Sequence, residues 1–181
     1  MVLGASSQAG QLFLAIVPDA ETSARIHRMA EILKAAHAFR GQLTPPDRLH
    51  VTLFSLGGLP EQLVEKVCEA IGEMRAEPFE ISFDRTMSFR GRPGSRPFVL
   101  AGSDGLGRLK LFRRSLANAF AQTDGLKHLG RRDFTPHVTL LFDARSADEQ
   151  PIGPLGWTVR NLVLIHSMRG HKHLAHWPLH V

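Results

Sequence analysis

The chain has no tyrosine and only one cysteine among its 181 residues. A lone thiol forms no internal disulfide, so the composition fits a reducing compartment, and the cytoplasm is the expected location. Cys68 shares a helical face with Val64, Val67 and Ile71 in "EQLVEKVCEAIGEM", which reads as a packing cysteine and not a nucleophile. No apolar run approaches bilayer length, and no membrane association is expected. The opening "MVLGASSQAG" has neither the basic flank nor the apolar core of a signal peptide, so residues 1–10 are read as a flexible lead-in. Gly-rich phosphate loops of the dinucleotide and Walker types are both missing. So is any carboxylate cluster suited to magnesium, and no metal or cofactor is expected.

What is present is an ordinary globular composition, 43% apolar and 22% charged, which excludes wholesale disorder. Residues 1–181 are expected to form one domain and to act as a monomer. The net charge is +5 and the pI about 10.1, which favours a phosphorylated or polyanionic partner. The basic residues are scattered through "SFRGRPGSRP", "RLKLFRR" and "LGRRDF", unlike a dedicated nucleic-acid-binding tail.

Periodicity gives a strand in "QLFLAIVP", then a helix from Asp19 with Ile26, Met29, Leu33 and Ala36 on one face. After the break at "TPPD" comes a strand in "RLHVTLFSL", and Pro60 opens a second helix. "FEISFDRTMSF" and "PFVLAG" read as strands around a turn-rich "RGRPGSR". "GLGRLKLFRRSLANAFAQT" is helical with its basic residues outward. "RDFTPHVTLLF" is a strand, and "WTVRNLVLIHSM" is another after a Pro/Gly-rich connection. "HKHLAHWPLHV" adds a short last strand. This mixed order argues for an α+β fold.

The tetrapeptide HVTL occurs twice, at His50–Leu53 and at His137–Leu140, close to half a chain length apart. Residues i and i+2 of a strand share a face. His50 and Thr52 therefore project together, away from Leu49, Val51 and Leu53; His137 and Thr139 do the same. Each copy follows a helix and a loop, as expected for two duplicated halves that meet about a pseudo-twofold axis. Opposed histidines suit in-line displacement at phosphorus, one taking a proton from the attacking group and the other giving one to the leaving oxygen. The threonine hydroxyls and nearby N–H groups suit the non-bridging oxygens.

These motifs, with "LFLAIVPD", "LHVTLFSLG", "FTPHVTLLF" and "LVLIHSMRG", give a chain that resembles the 2H phosphoesterase superfamily over nearly its whole length. Within that superfamily it is similar to the RNA 2′,3′-cyclic phosphodiesterase family, also called 2′-5′ RNA ligase. The resemblance implies a bilobed, internally duplicated α+β fold, with antiparallel sheets lining a central cleft and helices outside. It implies hydrolysis of a terminal 2′,3′-cyclic phosphate to a 2′-phosphate without a metal, and a reversible 2′-5′ joining of RNA ends. By motif order it makes His50 the proton donor, His137 the proton acceptor, and Thr52 and Thr139 phosphate ligands. The partner it implies is RNA with a cyclic phosphate end. The family's second motif commonly continues into Ala-Arg; here Leu141-Phe142 stand instead, and Arg131 and Arg132 are candidate substrate contacts in compensation. The alternatives are a 2H phosphodiesterase acting on a small cyclic nucleotide, and a non-catalytic module binding a nucleotide or RNA end. Arg90–Arg96 reads as an exposed basic hairpin, and His171, His173, His176 and His180 as exposed and non-functional. Trp157 and Trp177 read as covers of the core edge.

Overall fold

The computed structural model of the chain describes residues 11–131, 133–167 and 170–180; the lead-in 1–10 lies outside them. The first apolar run forms β1 (Gln11–Ile16), buried from Phe13 onward. Helix α1 (Ala20–Ala36) starts where Asp19 accepts the Thr22 N–H at 2.8 Å, a bond that also holds the Asp19 carboxyl below its usual range. A single 3₁₀ turn (Pro46–Arg48) leads into β2 (Val51–Ser55), so His50 stands one residue ahead of the strand. Pro60 precedes α2 (Glu61–Gly72), where burial, then Glu65 and Glu69, keep the Cys68 thiol protonated. Strands β3 (Phe79–Ser88) and β4 (Arg96–Ala101) flank the basic turn, and α3 (Gly107–Ala121) follows. The chain ends in β5 (His137–Asp143), β6 (Gln150–Val159), β7 (Asn161–Ser167) and β8 (His171–Pro178).

The strands form two four-stranded antiparallel sheets, ordered β2-β1-β7-β8 and β5-β4-β3-β6. Each HVTL motif lies on the edge strand of a different sheet. Each edge strand pairs with the strand one helix earlier, as β1-α1-β2 and β4-α3-β5. One continuous core joins the two sheets and the helices, with Phe83, Phe98 and Phe120 fully buried. Each such side chain contributes about 1.5–3 kcal/mol. No helix among the described residues is long and apolar enough to cross a membrane.

The sequence reading errs between β5 and β7. The Pro/Gly-rich stretch is not a connection but the first half of β6, and Arg160 separates β6 from β7, so "WTVRNLVLIHSM" is parts of two strands. Prolines fit there because β6 is an edge strand, and Ile152-Gly153-Pro154 bulge opposite Asp84 alone. Trp157, 4% exposed, stacks on Phe83 with centroids 5.5 Å apart, and Trp177 is half-buried, as read from the sequence.

A short crossing segment ties the approach to one motif onto the strand of the other. Leu43 bridges to Leu141, and the Thr44 N–H donates to the Leu140 carbonyl at 2.8 Å. Asp143, at the end of β5, accepts the N–H groups of Arg40, Gly41 and Arg145, and these bonds hold its carboxyl below the usual carboxylate range. Gly41 lies so close that a Cβ would meet the Phe142 carbonyl oxygen at 1.8 Å. The clashing atom is backbone, so Gly41→Ala forces the crossing segment off β5. The expected cost is about 2–3 kcal/mol in urea unfolding. A melt matching wild type would show that the segment is not pinned there.

Candidate active site

The alternation read from the sequence is present in both motifs. Val51 and Leu53, and Val138 and Leu140, are buried, whereas His50, Thr52, His137 and Thr139 are half-buried on the opposite side. The two strands also carry the same irregularity. On β1, Leu14 and Ala15 are consecutive, but their partners Phe54 and Thr52 skip Leu53. On β4, Phe98 and Val99 are consecutive, but their partners Leu141 and Thr139 skip Leu140. Each bulge therefore falls on the leucine of its own HVTL. It turns two successive side chains inward, Leu53 with Phe54 and Leu140 with Leu141, and ends the cleft-facing row at the threonine.

A bulge leaves a carbonyl outside the regular ladder, and that group must find a donor. The Leu53 carbonyl accepts from Arg113 Nε at 3.2 Å, and the Leu140 carbonyl accepts from the Thr44 N–H. Arg113 reaches over from α3 with its guanidinium 4.6 Å from the Phe54 ring and 4.7 Å from the Phe134 ring. The helix was read as presenting its basic residues outward. Arg108, Lys110 and Arg114 do so, but Arg113 turns in.

Both catalytic candidates are held in the same way. The Nδ1 of His50 bonds the Arg48 carbonyl at 2.7 Å, and the Nδ1 of His137 bonds the Thr135 carbonyl at 2.8 Å. A carbonyl only accepts, so each Nδ1 carries the proton and each Nε2 is left for the cleft. Burial pushes His50 below the ordinary imidazole range; the Arg48 carbonyl opposes this, and charge on His137 and His173 adds to it. His137 acts electrostatically on His50 across the gap between β2 and β5, the edge strands of the two sheets.

Two cavities open from that gap, and they are lined crosswise. One of about 450 Å³ holds Thr52 and His137 with Phe89, Arg113, His128 and Phe134. The other, about 390 Å³, holds His50 and Thr139 with Gln42, Arg48, Phe142 and His171. Each cavity thus combines the histidine of one motif with the threonine of the other. The edge of Phe89 meets the His137 ring at 5.0 Å between centroids.

Arg132 and the Arg131 side chain lie outside the described residues. The Leu129–Arg131 turn does border the larger cavity, through Leu129. His171, read as exposed and non-functional, is half-buried in the cleft beside His50, whereas His173, His176 and His180 are exposed. No group of three or more His, Cys, Asp or Glu able to hold a metal occurs among the described residues. Arg113 and His171 were illegible in the sequence because each arrives from a distant element. The only trace of Arg113 is its helical spacing one position after the buried Phe112.

The chain is similar to known proteins over most of its length. Residues 18–171 match the 2′-5′ RNA ligase superfamily. A protein of Archaeoglobus fulgidus named RNA 2′,3′-cyclic phosphodiesterase is 34% identical over 134 residues, covering 72% of this chain and 70% of that one. The crystal structure of E. coli LigT in apo form superposes with a TM-score of 0.72 at 26% identity, covering 95% of this chain and 98% of that chain. LigT complexed with ATP gives a TM-score of 0.67 at 25% identity, with 95% and 99% covered.

Arg113→Met keeps the bulk between the rings but strips the Leu53 carbonyl of its donor. The expected loss of stability is about 1–3 kcal/mol, the range for a buried group left unpaired. Arg113→Lys should not restore it, since an ammonium lacks the flat face that lies between two rings. Full restoration by lysine in a urea melt would show charge alone to be sufficient.

Proposed function

The chain belongs to the 2′-5′ RNA ligase superfamily, and from that footing we propose that it is an RNA 2′,3′-cyclic phosphodiesterase. It opens a terminal cyclic phosphate to a 2′-phosphate. The observation that carries the reading is the paired placement of His50 and His137. Each has Nδ1 tied to the carbonyl two residues back, and each shares a cavity with the threonine of the opposite motif. A phosphorus centre between the rings is then reached by an Nε2 from either side, in line.

In the reaction, water attacks phosphorus as the bond to O3′ breaks. His137 takes the water proton and His50 gives its proton to O3′, leaving a 3′-hydroxyl and a 2′-phosphate. Thr52 and Thr139 hydrogen-bond the non-bridging oxygens, where negative charge grows. Replacing water by the 5′-hydroxyl of a second RNA end, with O3′ leaving again as a 3′-hydroxyl, gives the 2′-5′ joining reaction. The larger cavity, with Phe89, Phe134 and Arg113, suits the nucleobase of the terminal residue. Arg131 and Arg132, which follow the cavity-lining Leu129 in the sequence, are proposed contacts for the RNA body.

One observation favours a second assignment of roles. The free His50 is held neutral by its dry setting, which suits a base better than an acid. For His50 to act as the donor, the bound phosphate must supply the negative charge that brings its proton on. An activated aryl phosphodiester separates the roles, because its leaving group needs no proton. With that substrate the variant lacking the donor keeps activity and the variant lacking the base loses it.

The decisive experiment incubates the protein, with EDTA, with an oligoribonucleotide ending in a 2′,3′-cyclic phosphate. The expected product is the 2′-phosphate. His50→Ala and His137→Ala are each expected to lower the rate about 10²–10⁴-fold. Inhibition by EDTA would defeat the metal-free mechanism, and tight binding with no turnover would favour the binding module. Faster turnover of a mononucleoside cyclic phosphate than of the oligonucleotide would favour the small-nucleotide reading.

A further inference from the structure

His171 opens β8, opposite Ser167 at the end of β7, and this register carries its ring to the mouth of the cleft. Its centroid lies 4.9 Å from that of His50 with the planes 70° apart, and 5.6 Å from that of Phe13 at 74°. Phe13 in turn stacks on His50 at 4.9 Å and 30°. Three rings, from β1, from β8 and from the residue just ahead of β2, therefore touch one another in pairs. His50 is the only one of the three also fixed through Nδ1 to a backbone carbonyl in the motif's own approach.

We propose that His171 is a positioning residue for His50. With Phe13 it forms an aromatic box that fixes the plane of the His50 ring and keeps water off it, so that Nε2 alone is presented to the ligand. This rests on reading His50 as a proton-transfer group. The Nδ1 bond by itself still permits rotation about the N–H···O axis. A stacked face and an edge contact at 70° remove that freedom, because edge-to-face and offset contacts have preferred geometries. The box also explains why burial is the largest influence on His50.

A histidine suits this wall because it stays uncharged. Burial lowers His171 to about 4; His50, Arg48 and His173 push in the same direction, and Asp47 opposes them. The titratable and charged groups that bear on the pair are Arg48 and Asp47 from the 3₁₀ turn, His137 from β5, and His173 from β8. At neutral pH the wall is a neutral aromatic ring beside an imidazole that must gain and lose a proton. A charged wall would oppose each protonation of His50.

The test follows the His50 ring by NMR titration in the ligand-free protein and measures turnover of the cyclic-phosphate substrate. In His171→Ala the opened box lets water reach His50, so its midpoint should rise toward 6.5. The same variant should lower kcat about tenfold with little change in KM, the loss expected of a mispositioned group. His171→Phe restores a ring without nitrogen and should keep both the low midpoint and kcat within about threefold of wild type. Phe13→Leu removes the other wall and should raise the midpoint as well, so one unfolded variant does not end the test. An unchanged His50 titration in His171→Ala and Phe13→Leu would overturn the proposal, as would His171→Phe failing as badly as His171→Ala. The titration needs no substrate. A wild-type protein with no turnover would refute the phosphodiesterase reading while the titration still decided the box.

Discussion

The site depends on a displaced carbonyl. Placing a bulge on the leucine of each HVTL motif is what ends the cleft-facing row at His-x-Thr and turns the next two residues into the core. The cost of a bulge is an oxygen outside the ladder, and a buried acceptor without a donor costs about 1–3 kcal/mol. The fold answers twice with different chemistry. A guanidinium from α3 meets Leu53, and a backbone N–H from the segment ahead of β2 meets Leu140. Both donors bring a wall of the cleft with them. Arg113 brings Phe134 and the larger cavity, and Thr44 brings Gln42 and Arg48 and the smaller one. Local backbone repair and the shape of the site are thus one arrangement.

The crossing segment makes the two halves interdependent. Residues 40–44 belong to the stretch that delivers His50, yet they are bonded to β5, which carries His137. Asp143 collects three N–H groups, and those bonds favour its ionised form. The stability this provides is present above the usual carboxylate range and is lost as pH falls through the lowered value. His50 acts in the same direction for the opposite reason. The unfolded imidazole takes a proton near pH 6.5, above the folded one, so acidification favours the unfolded chain. Mild acid therefore weakens both the tie between the crossing segment and β5 and the seating of the His50 ring.

Much of this was legible in the sequence because the motif is a strand with period two, and burial followed that alternation at each position from Leu49 to Leu53 and from Pro136 to Leu140. The helices were legible from Asp19, Pro60 and the apolar stripes. The α+β order and the family resemblance led to two antiparallel sheets, and the solved relatives have the same fold. The failures have a common cause. Pro151 and Pro154 looked like a break because proline denies a ladder N–H, but an edge strand has one side with no ladder to lose. Arg113 and His171 looked like surface residues because their own elements are amphipathic. What draws them inward is a bulge and a ring on other strands. Such contacts have no period along the chain.

The crossed lining of the two cavities does not by itself set a direction for the proposed chemistry. With each histidine beside the other motif's threonine, the arrangement has an approximate twofold character, and geometry alone lets either ring be acid or base. Asymmetry enters through the surroundings. His50 is boxed by Phe13 and His171 and kept dry, while His137 meets the Phe89 ring in a T-shaped contact. A dry imidazole is neutral in the empty site and takes its proton most readily when an anion arrives beside it. If His50 is the donor, substrate binding itself loads the acid, and the proton is in place only when there is a phosphate to protonate. The reverse reaction, in which a 3′-oxygen must be stripped of its proton, then finds His50 in the neutral form that a base requires. A dry His50 that an arriving anion can protonate thus suits the reversible displacement proposed above.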